Sequence, residues 1–250
     1  METRYIAQQV KAANRNFYDI VGPNYEGIDG RRTPRMASFL SEQIKRIAQD
    51  LPRDVFLDLG CGNGFLSKVA LKQFRKGLAV DISLNVLREL EARGLYKAVA
   101  EADLLPLKPE TLDMVMAVAV LHHCYSYEMM FREIHRALRP GGMFFSDHDL
   151  DSSFFRKHAF LIRLYRRMKN DRLKYSSRFP RITKELFALT EYHENGIDTK
   201  VVRESLYEAG FRDVNIEFHW YGMSSWSDRI FGQRTYDKGH APLVRVIARK

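Results

Sequence analysis

Hydrophobic and polar positions change period several times along this chain, and each change predicts an element. Residues 1–20, METRYIAQQVKAANRNFYDI, read as an amphipathic helix that Gly22-Pro23-Asn24 breaks. A loop rich in glycine and arginine follows over residues 27–34. A second helix is predicted over residues 34–49, with Met36, Phe39, Leu40, Ile44 and Ile47 at helical spacing and Leu51-Pro52 ending it. Short apolar runs then alternate with helical ones. Strands are predicted at 55–59, 77–81, 97–100, 114–120 and 143–146, and helices at 65–74, 84–93 and 127–138. Ser83 is placed to cap the helix from Leu84. Residues 114–120 are almost wholly apolar, as a strand buried on both faces requires. This rhythm predicts an α/β fold, a doubly wound and mostly parallel sheet whose strand C-terminal ends share the ligand-binding edge.

From about residue 150 the rhythm breaks into a helical, basic and aromatic stretch over residues 154–189. A helix over 199–209, ended by Gly210, and two strands at 211–219 and 243–248 follow. The expected organisation is one domain over residues 1–250. It comprises an N-terminal helical cap (1–53), a core (54–149 and 196–250) and a basic helical substrate lid (150–195). The predicted apolar stripe of that lid, Phe154, Phe155, Leu161, Ile162, Tyr165 and Met168, is expected to pack as the lid's own core.

Charge adds a second feature to the same insert. The chain carries a formal +9, from 40 Lys+Arg against 31 Asp+Glu. Between Arg156 and Lys184 there are eleven basic residues and one acid, Asp171, so this segment accounts for the surplus. Its basic face has three readings: a solvated surface, a membrane-surface helix, or a face for RNA. No apolar run reaches the length of a membrane span, and the first twenty residues lack the apolar core of a signal peptide. Cys61 and Cys124 make no disulfide framework. A cytoplasmic enzyme or binding protein is therefore expected.

The chemistry concentrates in VFLDLGCGNGFL, residues 55–66. Gly60, Gly62 and Gly64 stand between the first strand and its helix, where backbone N–H groups can approach a ligand. Asp81 ends the second strand and is suited to accept both hydroxyls of a ribose. A dinucleotide loop wants G-x-G-x-x-G, and a P-loop wants Lys-Ser/Thr after its last glycine; Phe65-Leu66 satisfies neither. Asp58 adds negative charge where a pyrophosphate would sit and suits the cationic amino group of a methionyl moiety instead. Cys61, between glycines, reads as a small packing residue of the loop, and with Gly64 it is counted among the residues expected to line the cofactor.

At this point the chain resembles the class I S-adenosylmethionine-dependent methyltransferases, in particular the ubiquinone/menaquinone-methyltransferase-like (methyltransferase type 11) group. LDLGCGNG, AVDIS, EADLLPLKPETLDMVMA and REIHRALRPGGMFF match its motifs in order over roughly residues 54–146. The resemblance implies a seven-stranded Rossmann-like sheet with an antiparallel last strand, and S-adenosylmethionine as cofactor. It implies that Asp58, Gly60 and Gly62 line the methionyl part, Asp81 holds the ribose and Ile82 packs on the adenine. Asp103 would accept from the adenine amino group, with Ala102 and Leu104 beside the ring. Ala119, Val120 and His122 would lie near the sulfonium, and Tyr18 and Tyr25 resemble the aromatic segment that closes over the cofactor.

Methyl transfer needs a general base only where the acceptor must lose a proton. His122, His123 and His148 are the candidates at the active edge, with His193 a fourth. Asp147-His148-Asp149 could be read as metal-binding, but three adjacent residues rarely complete a shell, and no metal is expected. The expected function is methyl transfer to a small-molecule acceptor on oxygen, nitrogen or carbon. The alternatives are an RNA (tRNA) methyltransferase using the basic insert, and a non-catalytic cofactor-binding or assembly protein on the same fold.

Overall fold

The computed structural model describes residues 2–22, 32–88, 90–169 and 171–250. The order is α1 (Glu2–Val21), α2 (Pro34–Ile47), β1 (Val55–Leu59), α3 (Phe65–Ala70), β2 (Lys76–Asp81), α4 (Leu84–Leu87), β3 (Leu95–Val99), β4 (Leu112–Val118) and α5 (Glu128–Ala137). Next come β5 (Leu138–Leu150), α6 (Ser152–Lys169), α7 (Asp171–Arg178), α8 (Lys184–Thr190), α9 (Thr199–Glu208), β6 (Arg212–His219), α10 (Ser225–Phe231), β7 (Thr235–Tyr236) and β8 (Leu243–Arg249). They build one sheet in the order β3-β2-β1-β4-β5-β8-β6-β7. Strands β1 to β5 pair in parallel, and β8 inserts antiparallel between β5 and β6. This is the expected seven-stranded methyltransferase sheet, with the two-residue β7 added at its edge.

Strand alternation divides the core between two faces. In β4, Val115 and Ala117 point toward α5 and α9, where Phe131, Ile134 and Leu206 are buried. Met114 and Met116 point the other way, onto Phe39 and Ile44 of α2 and Leu66 of α3. Thr33 caps α2 by accepting the Met36 N–H (3.2 Å). At the far end of the sheet, buried Asp113 ties three strands: Oδ2 accepts the N–H groups of Asp54 and Val55, and Oδ1 accepts Arg139 (2.6 Å).

Some boundaries differ from the sequence expectation. The fifth strand begins at Leu138, because Leu138 pairs with Leu112 before the Arg139-Pro140-Gly141-Gly142 segment leaves the ladder and Met143 rejoins it opposite Met114. Helix α4 stops at Leu87, whose carbonyl accepts Lys97 Nζ (3.0 Å), while Leu90 is drawn under Gly64. The lid departs most. Phe154 and Phe155 are buried, but Leu161 is 62% exposed beside Phe160 at 78%. The lid's packing comes from α7 and α8 instead, where Tyr175, Phe187 and Ile182 close on Phe17 and Val21 of α1. Among the described residues no helix is long and apolar enough to cross a membrane.

Candidate active site

The C-terminal ends of β1, β2, β4 and β5 meet on one edge, and a cleft of about 2450 Å³ opens there under α1 and the lid. Gly60 turns the chain out of β1 with φ 68°, its N–H bonded to Val80 O, and a Cβ at this position would lie 2.7 Å from Val120 Cγ2. The loop therefore needs glycine both for its left-handed backbone and for its contact with the end of β4. Asp81 organises the loop from β2: Oδ2 accepts Gly62 N–H and Oδ1 accepts Ser83 N–H, both at 2.9 Å. Asp58 is buried and accepts Ser67 Oγ–H at 2.6 Å. Burial, with Asp81's charge adding to it against the Ser67 hydrogen bonds, pushes the Asp58 carboxyl up to about 7. Burial likewise raises Asp81. Two carboxyls disfavoured as anions at one strand edge make a site that gains from a bound cation.

The cleft wall holds most of the expected cofactor residues. Asp58, Gly60, Cys61, Gly62, Asp81 and Ile82 line its β1–β2 side, and Ala102, Asp103, Ala119 and Val120 its opposite side. Gly64 does not line it; a Cβ there would meet Leu90 Cδ1 at 2.3 Å, so this glycine makes room for packing under α3. Leu104 is also outside, 73% exposed over a separate shallow depression. Tyr25 lies outside the described residues.

Helix α1 roofs the site. Asp19 accepts Ser83 Oγ–H (2.5 Å), and its carbonyl accepts Asn85 Nδ2 (2.9 Å), fixing the helix end over α4. Lys11 bridges Asp103 (2.7 Å to Oδ1) and Glu101 (2.9 Å), and Arg15 joins Glu101. The carboxylate expected to meet the adenine thus already carries an ammonium partner. Sequence reasoning missed Lys11, because its partner lies 92 positions away.

The three candidate histidines separate clearly. Both ring nitrogens of His123 are engaged: Nδ1 donates to Thr190 O (2.7 Å), and Nε2 accepts Tyr18 Oη–H (2.9 Å). Burial also holds its pKa down at about 4. These contacts argue against His123 as a base. His148 is buried in a left-handed backbone (φ 70°), and a Cβ on Gly222 would lie 2.5 Å from its Nε2, so it forms a packed wall. His122 is held differently. Asp149 Oδ1 accepts both its backbone N–H (3.0 Å) and its Nδ1–H (2.7 Å), and its Nε2 faces Glu191 at 3.6 Å. His193 anchors the turn through its N–H on His122 O (2.8 Å), and burial lowers its own pKa. Glu191, just past α8, carried no sequence signal at all.

Comparison with known proteins agrees with this architecture. A methyltransferase-domain family matches residues 57–146. The human mitochondrial arginine-hydroxylase NDUFAF5 is 31% identical over 44% of this chain and 35% of its own. The tRNA (carboxymethyluridine(34)-5-O)-methyltransferase of Arabidopsis thaliana is 30% identical over 50% of this chain and 30% of its own. The matched region thus spans about a third of the length of these curated relatives. In three dimensions, an S-adenosylmethionine-dependent methyltransferase of Thermotoga maritima superposes with a TM-score of 0.61 at 18% identity, over 94% of this chain and 99% of that one. Residues 57–146 thus match a methyltransferase domain, and the sheet order is that of the S-adenosylmethionine-dependent methyltransferase fold.

Proposed function

We propose that the chain transfers a methyl group to a small molecule enclosed in the cleft. The observation that carries this reading is the continuity of the cleft. It runs from Asp58 and Asp81 past His122 to an aromatic end at Trp220, Tyr221 and Phe231, under a roof of α1 and the lid. Bound S-adenosylmethionine supplies a methyl carbon already activated by a positively charged sulfur. The residues present fit it. Asp58 would hold the amino cation, Asp81 the ribose hydroxyls, and the Gly60–Gly62 backbone leaves room for the methionyl chain. Ile82 and Ala102 would flank the ring, and Tyr18 would close the roof. His122, oriented by Asp149, is the histidine we assign to the acceptor.

Some of the lid's basic side chains are engaged within the chain. Arg166 is paired with Glu194 and lies over the Phe155 ring, Arg178 lies over Phe179, and Arg156 bonds Ser152 and Ser153. These three of the lid's eleven basic residues thus make contacts within the chain, and one of them, Arg166, is paired with a carboxylate. The test is incubation with labelled methyl donor and fractionated cell extract. Label in small metabolites is the expected result. Label in RNA would favour the tRNA-type reading, and cofactor binding without any labelled product would leave a binding protein.

Asp58 gives this reading a pH signature. With a folded pKa of about 7, well above the ordinary carboxylate value, its contribution to stability is complete below about pH 4 and is lost as pH rises through about 7. Cofactor binding has the opposite slope, since an amino cation prefers the ionised carboxylate. The ionised fraction rises from about 0.1 at pH 6 to about 0.9 at pH 8, so cofactor affinity is expected to increase roughly tenfold over that interval. Titration calorimetry across the range measures it. Asp58→Asn should flatten the profile, and a flat wild-type profile would show that Asp58 does not meet a cation.

A further inference from the structure

In His122, His123 and Glu191 one ring nitrogen of each histidine and a carboxylate oxygen lie within 4.8 Å of one another, with His122 Nε2 3.6 Å from the Glu191 carboxylate. The edge of a tetrahedron with metal–ligand bonds of about 2 Å is roughly 3.3 Å, so small side-chain movements would bring the three atoms to ligand spacing. Two features distinguish this cluster from a chance meeting of polar side chains. Each imidazole has its Nδ1 turned to an acceptor outside the cluster: the Asp149 carboxylate for His122 (2.7 Å) and the Thr190 carbonyl for His123 (2.7 Å). That is how metal-bound histidines are oriented, with the distal N–H held by a carboxylate or a backbone carbonyl so that Nε2 presents its lone pair. The two rings also lie side by side, centroids 3.9 Å apart.

The scaffold holds the three residues together independently of any ion. His122 and His123 share one short turn after β4, and Glu191 directly follows α8. The two segments are stitched by His123 Nδ1–H to Thr190 O and by His193 N–H to His122 O (2.8 Å). All three residues line the cleft, next to the cofactor edge.

We propose that His122, His123 and Glu191 bind a divalent first-row transition-metal ion of the zinc type, with Asp149 and Thr190 orienting the two imidazoles. Two imidazoles and one carboxylate suit such ions better than magnesium or calcium, and a three-ligand set leaves a coordination position for an acceptor oxygen. In that position the ion would lower the acceptor's pKa and so take over the work expected of a lone histidine base. In the present conformation the Tyr18 hydroxyl donates to His123 Nε2, so Tyr18 must turn aside for an ion to bind.

The experiment uses the full chain without a histidine tag, dialysed against a chelator and titrated with cobalt(II) while visible d–d absorption is recorded. One equivalent of saturable absorption, displaced by zinc, is expected. His122→Ala and Glu191→Gln should each weaken it at least tenfold, and Asp149→Asn about tenfold or more. Tyr18→Phe should leave binding intact or tighten it, and misfolding could not mimic that gain. Cofactor affinity, measured on the same samples, separates failure of the metal site from failure of the methyl-transfer reading. Absence of saturable absorption, or absorption unchanged by His122→Ala, would overturn the proposal; so would a thiolate charge-transfer band, which would put the ion on a cysteine.

Discussion

Arg245→Ala is expected to cost about 3–5 kcal/mol of unfolding free energy, the range for removing one partner of a buried ion pair. Arg245 and Asp147 are 3% and 0% exposed, with Arg245 Nε 2.8 Å from Asp147 Oδ2 and its Nη1 3.0 Å from Glu217. Asp147 Oδ1 also accepts Nε2–H of buried His219 (2.6 Å) and the backbone N–H of His148 (2.7 Å). Burial alone would raise the Asp147 pKa, but the charges facing it outweigh burial and hold it well below the usual carboxylate range. Its contribution to stability is thus present above about pH 4 and lost as pH falls below it. Without Arg245 the carboxylate would be buried without its permanent cation and would take up a proton instead. Denaturant unfolding at pH 7 and at a pH below about 4 checks both statements. Arg245→Met combined with Asp147→Asn should recover part of the loss, because it removes the stranded charge. A loss under about 1 kcal/mol for Arg245→Ala would mean that the network is not stabilising. The network also bears on the site: Asp147 O accepts the Ala119 N–H (2.8 Å), so it pins the left-handed turn at Ala119 (φ 57°) that leads into His122.

The parts legible in the sequence were those that repeat locally. Apolar runs such as residues 55–59 and 114–120 must be buried on both faces, and a parallel sheet leaves few alternatives for them. The glycine loop was legible because only a ligand or a close backbone contact justifies several glycines beside a buried strand. What escaped was set by contacts between distant positions. Lys11 reaches Asp103, Glu191 meets His122, and Arg245 meets Asp147 across 98 positions, and no local pattern announces any of them. Helix α10 also escaped, because Trp226 and Ile230 are 71% and 51% exposed and blur its apolar face. In the lid the helical period was real, yet the sequence could not reveal that Leu161 would face out while α7 and α8 packed on α1.

Asp81→Ala should raise the cofactor dissociation constant by about 30- to 1,000-fold while changing stability far less. Asp81 is buried, its ionised form is disfavoured by that burial, and its two oxygens hold the N–H groups of Gly62 and Ser83. Removing the carboxylate loses two hydrogen bonds but also relieves a desolvated charge, so the two effects on folding largely offset. Binding has no such compensation. Two ribose hydroxyls on one carboxylate amount to about 2–4 kcal/mol once competition with water is discounted, which gives the stated factor. Asp81→Asn keeps the side-chain volume and one acceptor, and a loss nearer tenfold is expected. Asp103→Ala should cost less than Asp81→Ala, since Lys11 already neutralises that carboxylate. Calorimetry with the cofactor and with its demethylated product, paired with thermal unfolding, reads all three variants. An unchanged dissociation constant for Asp81→Ala would remove the ribose from this strand end and with it the orientation of the cofactor in the cleft.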